Sequence, residues 1–350
     1  MSSAELNLHV EAFESLDALP ANAAPLFASS STFFSSRVWW ETVLAHAIPP
    51  RATPLLLLVQ DNDGPLALFP MLLDPEGGGF RALTTPYTCL YEPLVAPRDH
   101  APVFVSFARY CRAFPTTRLD ALDESCEADI AAGGKQAGLS VASFDHFGNW
   151  YEQVSGLDWA SWLERRPGAL RETIRRRAKR ADRLAGATFR LFGDLADLET
   201  GIAAFETVYA RSWKDPEPYP SFNPAQIRAA AVLGVARLGI WWIGDTPAAA
   251  QFWIVEHRRA MVLKLAHDEA FKAHSPGTVL TAWMIRHMLE REHVTELDFG
   301  RGDDPYKQGW VADRRQRVGV MLINPRQPAG MIALARHAMG RIKARLRLRG

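Results

Sequence analysis

One order of elements runs twice through this chain, and no other feature narrows the possible folds as much. From Phe33 to Ala47, FFSSRVWWETVLAHA predicts a helix with Val38, Trp39, Val43 and Leu44 inward and Ser35 or Ser36 as its cap. Two apolar runs, TPLLLLVQ and PLALFPMLL, then flank Asp61-Asn62-Asp63-Gly64, a hairpin signal. A glycine-rich break at Gly77, Gly78 and Gly79 leads into FRALTTPYTCLYEPLV, read as strand and loop. A helix over Pro102 to Phe114 and a short strand, RLDAL at 118–122, close the series.

The second half repeats it. Leu198 to Trp213 is a helix with Ile202, Phe205, Val208 and Tyr209 on one side. Leu238 to Val255 is a hairpin around Gly244-Asp245-Thr246-Pro247, and RAMVLKLA from Arg259 is a strand. Thr278 to Arg291 is a helix with Leu280, Trp283, Met284, His287 and Met288 at core spacing. ELDF, from Glu296, is the closing strand. The match is of pattern, and it predicts an α/β (α+β) chain of two units, 1–150 and 151–350, each of ordinary domain size. Between them, SWLERRPGALRETIRRRAKRADR predicts a basic helix over 167–185: Leu170, Ile174, Ala178, Ala181 and Leu184 form a narrow apolar stripe among arginines. Gly330 to Gly350 reads as a second basic amphipathic helix.

Composition excludes more than it selects. Hydrophobic content of 48%, charged content of 23% and a net charge of +1 fit a globular protein with no global field that demands a charged partner. Cys89, Cys111 and Cys126 lack metal-site spacing, so a reduced, cytoplasmic setting is expected and no metal. The N-terminal MSSAELNLHVEAFESL has acids where a secretion signal carries bases, and Pro54 to Val59, the most apolar stretch, is far short of the ~20 residues that span a bilayer.

Chemistry concentrates in two loops. HDEAFKAHSPGTVL leaves a strand and opens a helix at Ser275-Pro276-Gly277-Thr278. Free N–H groups and the positive end of the helix dipole suit a phosphate there, with Lys272 and His274 adding charge; an ordinary helix cap is the other reading. TELDFGRGDDPYKQGW carries Asp298 on the strand face opposite Leu297 and Phe299, then Gly300 and Gly302, then Asp303, Tyr306 and Lys307. Tyr can protonate a leaving group, Asp can accept a proton from an amine and Lys can hold an anion. A solvated turn in which Lys307 balances the acids is the plainer alternative. No GxGxxG or Walker-type loop occurs, so dinucleotide and ATP sites have no motif.

Together, HSPGTVL, the helix after it and DFGRGDDPYK resemble the closing part of the GNAT-fold acyltransferases. They resemble most the branch with two GNAT-like halves, the Fem-type peptidyl transferases and the acetyltransferase-like proteins of cellulose and exopolysaccharide biosynthesis. ALRETIRRRAKR resembles that branch's basic helix between the halves, and FFSSRVWW with its hairpin fits the first half. The resemblance covers most of the chain. It implies tandem GNAT-like halves, each a mixed, mostly antiparallel sheet flanked by helices. It also implies acyl transfer from acetyl-CoA or another acyl-CoA, used as co-substrate, to an amine on a small-molecule or saccharide acceptor such as an amino sugar. On that reading Leu263 to Leu265 supply a strand amide to the thioester, and Leu265, Lys272, His274, Ser275, Gly277 and Thr278 hold the cofactor. Gln251, Trp253 and Asp298 line the acceptor pocket, Glu256 is a base, Tyr306 the acid, and Asp303 orients Lys307 or the acceptor. KAHSPG departs from the usual [Q/R]xxGxG/A loop, so CoA binding follows from the fold and not from a strict motif. The first half, at Glu92 to Val103, has no such loop and is expected to have lost its cofactor site. Two alternatives stand beside this one. An aminoacyl-tRNA donor would use Arg175, Arg176 and Arg177 on phosphates, although no coiled-coil arm is present. A non-catalytic scaffold of an exopolysaccharide system would dock its basic helices on anionic lipid or on a synthase complex.

Overall fold

The computed structural model describes residues 8–28, 32–76, 79–97 and 101–347, with side chains to residue 339. The reading of the extreme N-terminus, the break at Gly77 and Gly78 and the basic side chains beyond Met339 lie outside the described residues. Two compact units form: residues 1–147 with 316–350, and residues 148–315.

The first unit contains β1 (His9–Phe13), α1 (Ala24–Ala28), α2 (Arg37–His46), β2 (Thr53–Asp61), β3 (Gly64–Asp74), β4 (Gly79–Ala82), β5 (Leu94–Val95), α3 (Ala101–Cys111), β6 (Thr116–Leu122), α4 (Glu124–Gln136) and the start of β7 (Ser140–Gln153). The second continues with α5 (Trp159–Glu164), α6 (Gly168–Ala181), β8 (Ala187–Phe192), α7 (Leu198–Ala210), α8 (Phe222–Val232), β9 (Ala236–Ile243), β10 (Thr246–Glu256), β11 (Arg259–His267), α9 (Pro276–Glu290), β12 (Glu296–Asp298) and α10 (Lys307–Trp310). The chain then returns to the first unit through β13 (Asp313–Ile323) and α11 (Pro328–Arg347).

The repeated order is a repeated topology. In the first unit the sheet runs β1-β2-β3-β4-β6-β13, and in the second β8-β9-β10-β11-β12-β7. Neighbours are antiparallel except one pair in each, β4 with β6 and β11 with β12, which are joined through a helix as parallel strands must be. The last strand of each sheet comes from beyond the series that built it. Val318 to Ile323 pair with β6, so residues 316–350 belong with the first unit and not with the second half of the chain.

Local chemistry explains the elements. Ser36 caps α2 by accepting from the Trp39 N–H. Asp61 accepts from the amides of Asp63 and Gly64 and so closes the β2–β3 turn. In the first unit Phe69 stacks on Phe107 at 4.1 Å and Phe80 on Phe114 at 4.0 Å. Burial pushes the Cys111 thiol up to about 12, so it behaves as a small apolar side chain. α4 meets α3 through Gly133, where an added Cβ would stand 2.6 Å from the Phe104 carbonyl carbon and oxygen. That neighbour is backbone and has nowhere to go. Gly133→Ala is therefore expected to destabilise the protein by about 1–3 kcal/mol in urea unfolding, against the gain that Ala usually gives a helix.

Candidate functional site

The second unit opens where its parallel pair ends. β11 and β12 are in register only from Arg259↔Glu296 to Met261↔Asp298. Beyond that, Phe299 turns to β7 and donates its N–H to the Trp150 carbonyl, while β11 runs on to His267. A bulge sits at the fork: Phe252 pairs with Lys264 and Trp253 with Val262, so Leu263 has no partner in the β10 register. Bulges re-aim a strand and free backbone groups. Between the diverging strands lies a cleft of about 920 Å³, walled by Leu265 and His267 of β11, by Ser275 to Thr278 and Thr281 at the start of α9, by Pro305, Tyr306, Gln308, Gly309 and Trp310 after β12, and by Trp213.

α9 points its N-terminus into this cleft. Ser275 takes a left-handed φ of 55° and its side chain makes no capping bond, Pro276 has no N–H to satisfy, and Gly277 shields nothing. The first-turn amides are thus left to a ligand, and the dipole favours an anion. Lys272 stands on the same wall. From behind, Trp253 Nε1 donates to Gln251 Oε1 (2.9 Å), Gln251 Nε2 to Thr281 Oγ1 (2.6 Å), and Thr281 Oγ1 to the Gly277 carbonyl (2.8 Å). Gln251 and Trp253 are fully buried and hold α9 in place, and they do not face the cleft. Arg177 of α6 donates to the Ala273 carbonyl at 3.0 Å and so fixes the loop before α9.

His267 is the titratable side chain that the sequence reading missed. It ends β11 two positions after Leu265, and the two-residue period of a strand puts both on one face. Its Nε2 lies 3.2 Å from Glu269 Oε1, and its ring packs on Trp213 at 4.4 Å. With Nε2–H donating to Glu269, Nδ1 is left as an acceptor beside Gly277. Burial holds the imidazole below its usual range, with Lys272 acting the same way and Glu269 opposing. A neutral imidazole at pH 7 is the form that accepts a proton. Tyr306 is on the opposite lip. Burial, and then the Asp304 charge, raise its phenol above the ordinary value even though 48% of the side chain meets solvent, so it stays protonated.

The remaining acids and the lysine build the lip and do not enter the cleft. Lys307, 4% exposed, clamps the loop: its Nζ donates to the Arg301 (2.8 Å) and Gly302 (3.0 Å) carbonyls and pairs with Asp304 at 3.1 Å. Asp303 is taken by Arg314 (2.7 Å) and Trp150 Nε1 (2.7 Å), and Arg314 holds its carboxyl below the ordinary range. Asp298 is sealed among Asn149, the Gly300 N–H and Arg315. Gly300 and Gly302, with φ of 61° and 103°, turn the chain between these anchors. Glu256 pairs with Arg259 at the other end of β11, about 26 Å along the strand from His267, out of reach of the cleft. His274 ends the 3-10 turn Glu269–His274 outside the cleft lining. Of the tryptophans, Trp241 and Trp253 are core, while Trp213 and Trp310 wall the cleft.

The corresponding fork of the first unit, β4 against β6, is bridged by its own chain. Thr84 Oγ1 donates to Asp120 at 2.7 Å and the Tyr91 N–H to the Ala121 carbonyl at 2.8 Å. Among the described residues no group of His, Cys, Asp and Glu is arranged to hold a metal ion.

A splayed parallel pair with a bulged strand and a helix N-terminus in the fork is the architecture of GNAT transferases, and the first unit repeats the strand order of the second. Residues 168–308 match the family model "Acetyltransferase (GNAT) domain", and this segment is a GNAT domain. The whole chain has the tandem-GNAT fold of several solved proteins. FemX is similar at TM-score 0.57 and 11% identity, over 87% of this chain and 97% of that one. The C-terminal domain of a putative lysylphosphatidylglycerol synthetase from Agrobacterium fabrum is similar at TM-score 0.56 and 10% identity, over 89% and 94%. A tandem GNAT protein from the clavulanic acid biosynthesis pathway is similar at TM-score 0.50 and 13% identity, over 90% and 98%. No curated protein matches the chain significantly.

Proposed function

We propose that the second unit transfers an acyl group from an acyl-CoA, in the first instance acetyl-CoA, to a primary amine. The observation that carries this reading is the fork itself. The pairing of β11 and β12 stops at Met261 and Asp298, and the open space has an uncapped helix N-terminus at one end and a neutral imidazole and phenol along its walls. The α9 amides and Lys272 would take the CoA pyrophosphate, and the pantetheine arm would lie along Leu263 to Leu265. The amide of the bulge at Leu263 is the candidate donor to the thioester oxygen.

The amine attacks the thioester carbonyl, and a C–N bond forms as the C–S bond breaks. Solvent takes the proton from the amine and the Tyr306 hydroxyl gives one to the departing sulfur, while His267 stands about 13 Å along β11 from Leu263, at the pyrophosphate end of the cleft. Holding both reactants in one fork contributes several kcal/mol through proximity. The aromatic walls at Trp213, Tyr306 and Trp310 support an amino sugar as acceptor, since sugar rings stack on such faces. The free cysteines and the supply of acyl-CoA favour a cytoplasmic site of action. Tyr306→Phe is expected to slow thiol release from acetyl-CoA about 10²-fold in the presence of an accepted amine, with the KM for acetyl-CoA unchanged. A normal rate in that variant removes Tyr306 from the acid's role.

One observation favours a second donor. α6 adjoins the cleft through Pro167, Leu170 and Arg177, and it carries the exposed Arg176, Lys179 and Arg180, for which no ion pair forms among the described residues. Such a face suits the phosphates of an aminoacyl-tRNA. Salt-sensitive retention of tRNA, lost in Arg176→Gln with Arg180→Gln, would support it.

A further inference from the structure

We infer that α11 is an interfacial helix that seats this protein on an anionic lipid surface. After β13 the chain turns at Asn324, whose side chain donates to the Arg112 carbonyl at 2.7 Å, and the backbone packs tightly at Gly330. From there α11 leaves the core. Met331 is 60% exposed, Ile332 55% and Met339 55%, with Leu334 also exposed. Four large apolar side chains on one helix, none of them buried, form the kind of patch that marks an unmade contact. Met331, Ala335, Ala338 and Met339 follow helical spacing, and the sequence continues that spacing at Ile342 and Leu346.

Charge identifies the occupant. No Asp or Glu follows Asp313, and the helix carries Arg336, Arg341, Lys343, Arg345 and Arg347 in sequence. In the sequence these bases interleave with the apolar Ile342 and Leu346, the composition of a helix that lies in a headgroup layer. A second protein surface would need acids to match five bases, whereas an anionic bilayer supplies them at any rotation of the helix. No helix among the described residues is long and apolar enough to cross a membrane, so the contact lies along the surface. This inference stands apart from the chemistry proposed for the cleft.

The test is flotation of the full-length protein with vesicles of phosphatidylcholine containing roughly one-third phosphatidylglycerol, against phosphatidylcholine alone, at about 0.1 M salt. The expected result is flotation with the anionic vesicles only. Arg345→Gln with Arg347→Gln should weaken partitioning about 30-fold, because each surface cation contributes about fivefold. Ile332→Glu with Met339→Glu should abolish it while leaving the circular dichroism and melting temperature unchanged, since both side chains are exposed. Failure of the wild type to float with anionic vesicles up to millimolar lipid overturns the inference. So does equal flotation of the Ile332→Glu, Met339→Glu protein. A dimer in light scattering that the same pair of substitutions dissolves would also overturn it, since a second copy would then cover the face.

Discussion

His267→Gln should abolish the tightening of acetyl-CoA binding in acid solution, where the wild-type KM is expected to fall about tenfold. The imidazole lines the cleft beside Gly277, its Nε2 is engaged by Glu269, and Nδ1 gains a proton as the pH falls. The cation then stands at the end of the cleft where the α9 amides face the pyrophosphate. Gln keeps the polarity and most of the volume but takes no charge. Burial and Lys272 lower the His267 pKa, so the change in KM should be centred below the usual histidine value of 6.5. In Glu269→Gln the carboxylate that raises this pKa is gone, and the change should move to still lower pH. A change in KM that stays in place in His267→Gln would assign the titration to another group.

The second large effect is on stability. Arg166 and Glu152 form a buried pair, 3% and 5% exposed, at 2.7 Å. Arg166 also donates to the Trp310 carbonyl at 2.5 Å and lies over the Trp162 ring at 4.7 Å. One guanidinium thus ties α5, β7 and the lip of the cleft together. Removing it leaves the Glu152 carboxylate buried and unpaired, which typically costs about 3–5 kcal/mol. Arg166→Ala is expected to unfold roughly 6–20 °C lower than wild type. Arg166→Met with Glu152→Leu should recover most of that loss, because a volume-matched apolar pair avoids the stranded charge. Recovery of stability without recovery of transferase activity would show that the pair is there to place Trp310.

The fold was largely legible because it is written in periodicities. Hairpins around Asp61 to Gly64 and Gly244 to Thr246 need turn residues at fixed offsets, and helices such as α7 and α9 need an apolar stripe. Local pattern does not announce α4, α8, β7 or β13. α4 has a weak stripe interrupted by Gly133 and Gly134, and α8 is buried on most sides, so neither shows one clean face. The homes of β7 and β13 depend on strand pairing, which local pattern does not encode.

The candidate site was half legible for a related reason. Ser275 to Thr278 and Tyr306 are local signals, and the structure brings them to one cleft. Alternation along β10 correctly put Gln251 and Trp253 on one face, but it does not say whether that face meets a cleft or the underside of α9. Nor does it say which end of β11 is open, and Glu256 stands at the closed one. Asp303 looked free for chemistry because its partners, Trp150 and Arg314, are distant in sequence or on the next strand. His267 was within reach: the same alternation that singles out Leu265 selects it.

Calorimetric titration of the full-length protein with acetyl-CoA tests the central claim most directly. The account predicts saturable binding with a Kd on the order of micromolar to tens of micromolar. It also predicts at least about tenfold weaker binding to Gly277→Asp, whose carboxylate would occupy the anion position at the start of α9. No heat and no thermal shift up to about millimolar acetyl-CoA with the wild type would contradict it.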